Sequence, residues 1–308
     1  MSTDLTHQAP PAARRRRTVP APGTTPGNPV APPRRSAWVP TLILLLGAVY
    51  CLVPIVWVVM AATKSSGELF TTFTFSPGSG LLDNLSDLSH YRGGVYWTWL
   101  ANSALYAGVG ALLSAALSGV TGYALAKYRF RGRGALFNIL LAGVLMPPVT
   151  LAVPQYLLMA KAGLADSYWS VLLPSIVSPY GIYLARIYAA AAIPDEVVEA
   201  ARVDGAKEFR LFRSIALPIM VPGLVTVFLF QFVAIWNNFL LPYIMLGDDH
   251  KFPVTVGLYS LLQQGANAPA LYTLVITGAL LSILPLIALF LGLQRYWRID
   301  LLSGAVKS

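Results

Sequence analysis

Side-chain catalysis commonly draws on histidine, cysteine or carboxylates gathered in one place, and the apolar runs of this sequence contain no such cluster. His7, His90 and His250 are scattered, with no spacing that suits a metal ion. Cys51 stands alone in an apolar run, so it reads as a small buried hydrophobe with no intramolecular disulfide. No Gly-Lys dipeptide occurs, which excludes a phosphate-cradling loop of the G-x-x-x-x-G-K-[ST] type. Polar chemistry concentrates instead in one stretch, EAARVDGAKEFRLFRSIALP at 199–218, acidic first and basic after, with Gly205 near its centre. Charges sorted in this way, with apolar residues between them, suit recognition of another surface rather than bond making.

That stretch interrupts a greasy chain. Of its 308 residues 11% are charged and 56% apolar, and the mean hydropathy is +0.62. A soluble domain carries roughly 25% charged residues, so this chain belongs in a bilayer. Stretches of about 20 mostly apolar residues predict six spans, at 40–62, 98–126, 135–160, 170–190, 218–246 and 271–293. The tail 1–37, rich in Pro and Arg, has almost nothing to bury and reads as disordered.

The basic residues fix the orientation. Eighteen of the 22 lie in the two termini and the even-numbered loops; only Lys64, Arg92, Lys161 and Lys251 lie in the odd-numbered ones. Basic residues favour the cytoplasmic side, so both termini are expected there. The same rule explains the net charge of +9 without a nucleic-acid partner. Arg14–Arg17 either touch anionic membrane lipid or serve only as a topology signal.

The spans themselves hold no Asp, Glu, Lys or His, and Arg186 lies near a cytoplasmic end. Buried carboxylate relays for protons are therefore missing. What the spans do hold is proline and uncharged polar residues. Asn102, Gln155, Gln231, Asn237 and Asn238, with Tyr156 and Trp236 nearby, could bind a neutral hydroxylated solute. Interhelical hydrogen bonding explains each of them equally well.

Around the charged stretch, Pro194 suits a first helical position, and Asp195, Glu196 and Glu199 suit the positive end of a helix dipole. Asp204-Gly205 then ends the helix, since glycine enters the left-handed region freely. Phe209, Phe212 and Ile215 mark a second short helix, with Pro218 starting the fifth span. Helix, sharp turn, helix makes either a knob that fits a partner's groove or a solvated loop.

Glu199-Ala200-Ala201, Gly205 and Ile215-Ala216-Leu217-Pro218 together give E-A-A-x-x-x-G-x9-I-x-L-P. This resembles the EAA signature of the membrane subunits of bacterial ATP-binding-cassette (ABC) importers. YALAKYRFRGR (123–133), IPDEVVEAARVDGA (193–206), WNNFLLP (236–242) and LQRYWRIDLLSGAVKS (293–308) resemble the carbohydrate-uptake branch, and within it the shorter maltose-type permease; a glycine usual near Asp300 is missing. The resemblance covers roughly 40–308.

It implies an all-α membrane protein with six transmembrane helices, in the type I ABC importer (MetI-like) permease fold. The expected division is a tail at 1–37, a first span and outer loop at 38–97, a five-span core at 98–293 with the coupling loop at 194–217, and a cytoplasmic tail at 294–308. Glu199, Ala200, Ala201, Asp204, Gly205, Ala206 and Phe209 would form the contact with an ATPase subunit. The implied partners are a second permease subunit, two ATP-binding cassette subunits carrying ATP and Mg, and an extracytoplasmic solute-binding protein. The chain itself is expected to bind no cofactor or metal, to catalyse nothing, and to carry sugar across a bacterial cytoplasmic membrane. A stand-alone channel or secondary transporter lacks buried charge and leaves the EAA stretch without a role. A membrane enzyme is disfavoured because no His, Cys or carboxylate cluster lies at membrane depth.

Overall fold

A computed structural model describes residues 38–265 and 268–305; the tail 1–37 with Arg14–Arg17, and Lys307, lie outside the described residues. Among the described residues there is no strand. In chain order the helices are α1 (Trp38–Ala62), α2 (Ser66–Thr71), α3 (Leu81–His90), α4 (Val95–Lys127), α5 (Arg133–Leu145), α6 (Pro148–Lys161), α7 (Tyr168–Ile176), α8 (Pro179–Ala192), α9 (Asp195–Val203), α10 (Glu208–Leu211), α11 (Leu217–Trp236), α12 (Leu240–Met245), α13 (Val254–Gly265) and α14 (Ala270–Ala305). Five rods are long and apolar enough to cross a bilayer: α1, α4, the α7–α8 run, the α10–α11 run and Ala270–Gln294 of α14. The pair α5 and α6, bent by 105°, is together long and apolar enough to make a sixth, as one broken span or a re-entrant loop.

Prolines decide where the rods break. Met146 and Pro147 are extended (ψ 125 and 128) because a residue before proline is pushed out of the helical region. The span expected at 135–160 is therefore two half-helices. Ser178, before Pro179, is also extended, and its Oγ caps α8 by accepting the Gly181 N–H at 2.9 Å. The fifth span departs from expectation at both ends. Its helix begins at Glu208, inside the elbow, because a π turn at Phe212–Ala216 carries the helix past Pro218, and it stops at Trp236. A residue without an N–H leaves a ladder bond unmade, and a widened turn absorbs the mismatch. Beyond Asn237 and Asn238, α12 is a separate short helix. α14 continues past residue 293 to Ala305, so the segment expected as a C-terminal tail is helical that far. Cys51, read from sequence as buried, is exposed on α1; in a span, lipid serves a thiol as well as a core does.

The compact unit begins at Cys51, and α4 is its central post. Lipid tails are as apolar as leucine, so helices in a bilayer hold together by close packing instead of hydrophobic expulsion. α4 supplies that closeness with a buried strip of Ala107, Ala111, Ser114, Ser118, Gly119 and Gly122. A Cβ on Gly122 would stand 2.7 Å from both Ala185 Cβ and the Arg186 N, and one on Gly119 would stand 3.0 Å from Leu224. α8 and α11 thus approach α4 at backbone distance.

The links between spans are folded. Residues 63–94, within the expected outer loop at 63–97, contain α2 and α3. Asn84 Nδ2 donates to Ala62 O and Lys64 O, and Lys64 Nζ to Phe73 O at 2.6 Å. The last long link is strapped to α4: Trp99 Nε1 donates to Asp249 O, Asn102 Nδ2 to His250 O and Phe252 O, and Tyr106 OH to Lys251 O. α13 then lies against Trp99 through Gly257. The Gly257→Ala substitution would place a methyl 2.1 Å from the indole. Such overpacking costs about 1–3 kcal/mol, and the purified protein should melt several degrees lower; an unchanged melting temperature would refute this contact.

Candidate functional site

The elbow formed by α9 and α10 gathers the residues of the EAA stretch. Asp195 and Glu196 occupy the first turn of α9, against the positive end of its dipole. Val198 and Ala201 turn inward and pack with Tyr123, Ala189, Leu211 and Met220. At the far end Gly205 has φ +78. Its N–H donates to Arg202 O and the Ala206 N–H to Ala201 O, both at 3.0 Å. That reciprocal pair is a Schellman closure, which satisfies two otherwise orphaned carbonyls. Glycine is required because a Cβ opposes this backbone region.

Two polar clasps fix the elbow to the bundle. Lys127 Nζ, at the end of α4, donates to Ile193 O at 2.5 Å and to Asp195 Oδ1 at 2.6 Å. The Lys127 side chain is 6% exposed and that of Asp195 73%. The ammonium is therefore the buried partner, and its loss is the costlier one. Its hydrogen bond and then its charge hold the Asp195 carboxyl below the usual carboxylate range. A depressed carboxyl stabilises the fold above its unfolded pKa and releases that stability as pH falls through the folded value, so this carboxylate's share of the clasp is lost in acid. The second clasp spans the turn. Glu208 accepts from Arg202 Nε at 2.9 Å and from Tyr128 OH at 2.6 Å.

Glu199, Ala200, Asp204, Gly205 and Phe209 face outward, while Ala206 is half-buried. Ala201 is an anchor, not a surface residue. Val203 is 87% exposed and Phe209 74%, so the elbow ends in an apolar tip with carboxylates beside it. The exposed surface of the elbow is thus an apolar tip flanked by the carboxylates of Glu199 and Asp204.

The residues expected along a solute path separate into three groups. Gln155, Gln231 and Asn238 line one cavity of about 380 Å³ between α6, the α7–α8 break, α11 and α12. Asn102 and Trp236 are buried elsewhere: Asn102 is committed to the strap and accepts from Tyr168 OH at 3.0 Å, and Trp236 stacks on Phe232. Tyr156 and Asn237 are exposed outside the cavity, and Asn237 Nδ2 donates back to Val233 O. Sequence reasoning missed Ser178 and Tyr180, which also line the cavity.

Residues 118–298 match the family described as "Binding-protein-dependent transport system inner membrane component". The chain belongs to that family. The matched region holds the elbow, both broken rods and the cavity of this permease, and begins within α4. An arabinooligosaccharide transport system permease protein of Halalkalibacterium halodurans is 35% identical, over 88% of this chain and 96% of the relative. The lactose transport system permease protein of Rhizobium radiobacter is 31% identical, over 86% and 94%. Among solved structures, a bacterial ABC transporter that imports the acidic polysaccharide alginate matches with TM-score 0.74 at 24% identity, covering 84% of this chain and 95% of that one. An alginate transporter in complex with a pentasaccharide-bound periplasmic protein matches with TM-score 0.60 at 15% identity. Both show the fold.

The clasp residues Lys127, Tyr128, Arg202 and Glu208 were absent from the sequence-based site. The Arg202–Glu208 pair was readable, since opposite charges flank a glycine turn. The Lys127–Asp195 contact was not, because 68 residues separate the partners. In the permease, Glu208→Gln should loosen the turn: amide hydrogen exchange at 203–207 should quicken by about fivefold, as an exposed ion pair is worth up to ~1 kcal/mol. Lys127→Met should have the larger effect, and Asp195→Asn the smaller. The reverse ranking would show that the exposed carboxylate, not the buried ammonium, holds the joint.

Proposed function

We propose that this permease is one of two membrane subunits of an ATP-driven sugar importer, and that its elbow docks in a cleft of a separate ATPase subunit. One observation carries the reading: a rigid left-handed elbow, clasped to the bundle behind, presents an uncovered apolar tip in front. A floppy solvated loop needs neither the Schellman closure nor the buried Lys127. The oligosaccharide and lactose permeases among its relatives support sugar as the cargo.

In this reading the elbow end of the bundle is cytoplasmic, in keeping with Arg129, Arg131, Lys207, Arg210 and Arg213 at that end. Both termini are on the same side. ATP and Mg belong to two ATPase subunits, a second permease completes a heterodimer, and the chain has no catalytic role of its own. The α2–α3 cap and the strapped link before α13 face an extracytoplasmic solute-binding protein. ATP closes the ATPase pair and displaces the two elbows. The clasps pass the displacement to α4, and the unbroken π-to-α rod passes it to α11. Nucleotide thereby biases the bundle between inward- and outward-open states, which requires only that it bind the two with different affinity.

Gly205→Pro forces φ to about −65° where the elbow needs a positive value, and Glu199→Lys reverses a charge on the docking face. Both variants should reach the membrane at normal levels, yet ATP-dependent sugar uptake in vesicles should drop at least tenfold. Full uptake in both would sink the coupling role. The solubilised wild-type chain should also bring down an ATPase and a second permease, and its purification alone would sink the assembly.

A further inference from the structure

The cavity between the two broken rods is unusual for what reaches it. Met146 and Pro148 border it from one break, and Val177, Ser178 and Pro179 from the other. α5 and α8, of 13 and 14 residues, place it about 20 Å above the elbow end at 1.5 Å per residue. This lies beyond the middle of a ~30 Å hydrocarbon layer. Irregular backbone at membrane depth is tolerated where it lines a wet space or protein.

Its polar groups are amides with capacity to spare. The Gln155 amide lines the cavity with no hydrogen-bond partner among the described residues. Asn238 uses Oδ1 to accept the Leu241 N–H at 3.3 Å, leaving its NH2 free among the same residues. Gln231 Nε2 donates to Ser178 Oγ at 2.5 Å, and its Oε1 remains open. Tyr180 adds an aromatic face. No Asp, Glu, Lys, Arg or His lines the space. Its volume of about 380 Å³ falls within the ~300–1,000 Å³ of small-molecule sites.

We infer that this cavity is a solute subsite in this chain's own bundle, built for a neutral sugar ring and selective against uronates and phosphate esters. Amides both donate and accept, which matches hydroxyl groups. A carboxylate or phosphate would lose its water at membrane depth and find no cation to replace it. The inference rests on the importer reading and adds to it where in the chain the sugar passes and which sugars pass.

The test uses the whole assembly in lipid vesicles, with Cys51→Ala as background. A charged, membrane-impermeant methanethiosulfonate reagent should modify the Gln155→Cys and Asn238→Cys variants but not Ile139→Cys, which is 68% exposed on the apolar flank of α5. Lactose or raffinose with binding protein should slow that modification at least fivefold, and digalacturonate should leave it unchanged. Gln155→Leu should cut uptake of the neutral sugar at least tenfold at saturating binding protein, in assemblies recovered at the wild-type yield. Unreactive Gln155→Cys and Asn238→Cys variants, or reactivity that neutral sugar does not change in a transporting assembly, would overturn the subsite alone. A wild-type assembly that takes up no neutral sugar would instead overturn the importer reading beneath it, and the subsite with it.

Discussion

The whole bundle depends on how near α8 and α11 can come to α4. Water does not squeeze these helices together, because their surroundings are as apolar as they are. Attraction has to come from atoms in contact over a long seam, and glycine, alanine and serine make that seam possible. Gly122 meets the backbone of α8 where any side chain would collide. Gly223 of α11 is likewise pressed against the ring of Tyr188, which leaves no room for a methyl. The large side chains that a soluble protein would place in its core lie here mostly exposed on the flanks.

Once the seam is set, the polar groups have fixed places. The breaks before Pro148 and Pro179 fall side by side, and the amides that could not be tolerated facing lipid surround the resulting space. At one end the strap from Trp99, Asn102 and Tyr106 ties a long link to the central post. At the other, Lys127 reaches back to the carbonyl at which α8 hands over to α9. Both ends of α4 therefore hold irregular segments by hydrogen bonds to their main chain, not by ion pairs alone.

Much of this was legible beforehand, for reasons that differ from part to part. Span number and the elbow followed from hydropathy, charge placement and one glycine, which are local properties of the sequence. Proline content announced that helices would bend, but it did not say which prolines break a rod and which ride inside one. Pro54, Pro222 and Pro285 sit within helices, whereas Pro147 with Pro148 ends one. The difference is tertiary, since freed carbonyls need neighbours. The same holds for the amides. Asn102 and Gln155 look alike in sequence, yet one is consumed by a link some 150 residues away and the other is left facing an open space. The helices hidden at 63–94 were masked by turn-forming residues and by the shortness of α2.

The π turn at Phe212–Ala216 has one further consequence. An extra residue in a helical turn rotates everything after it by about 100° about the axis. Leu211 and Ala216 can therefore both point into the protein, although regular spacing would not put them on one stripe. The widened turn acts as a phase shifter between two faces with different customers, one fixed by lipid and neighbouring rods, the other by whatever meets the tip. Either face could then drift over evolutionary time without dragging its counterpart around.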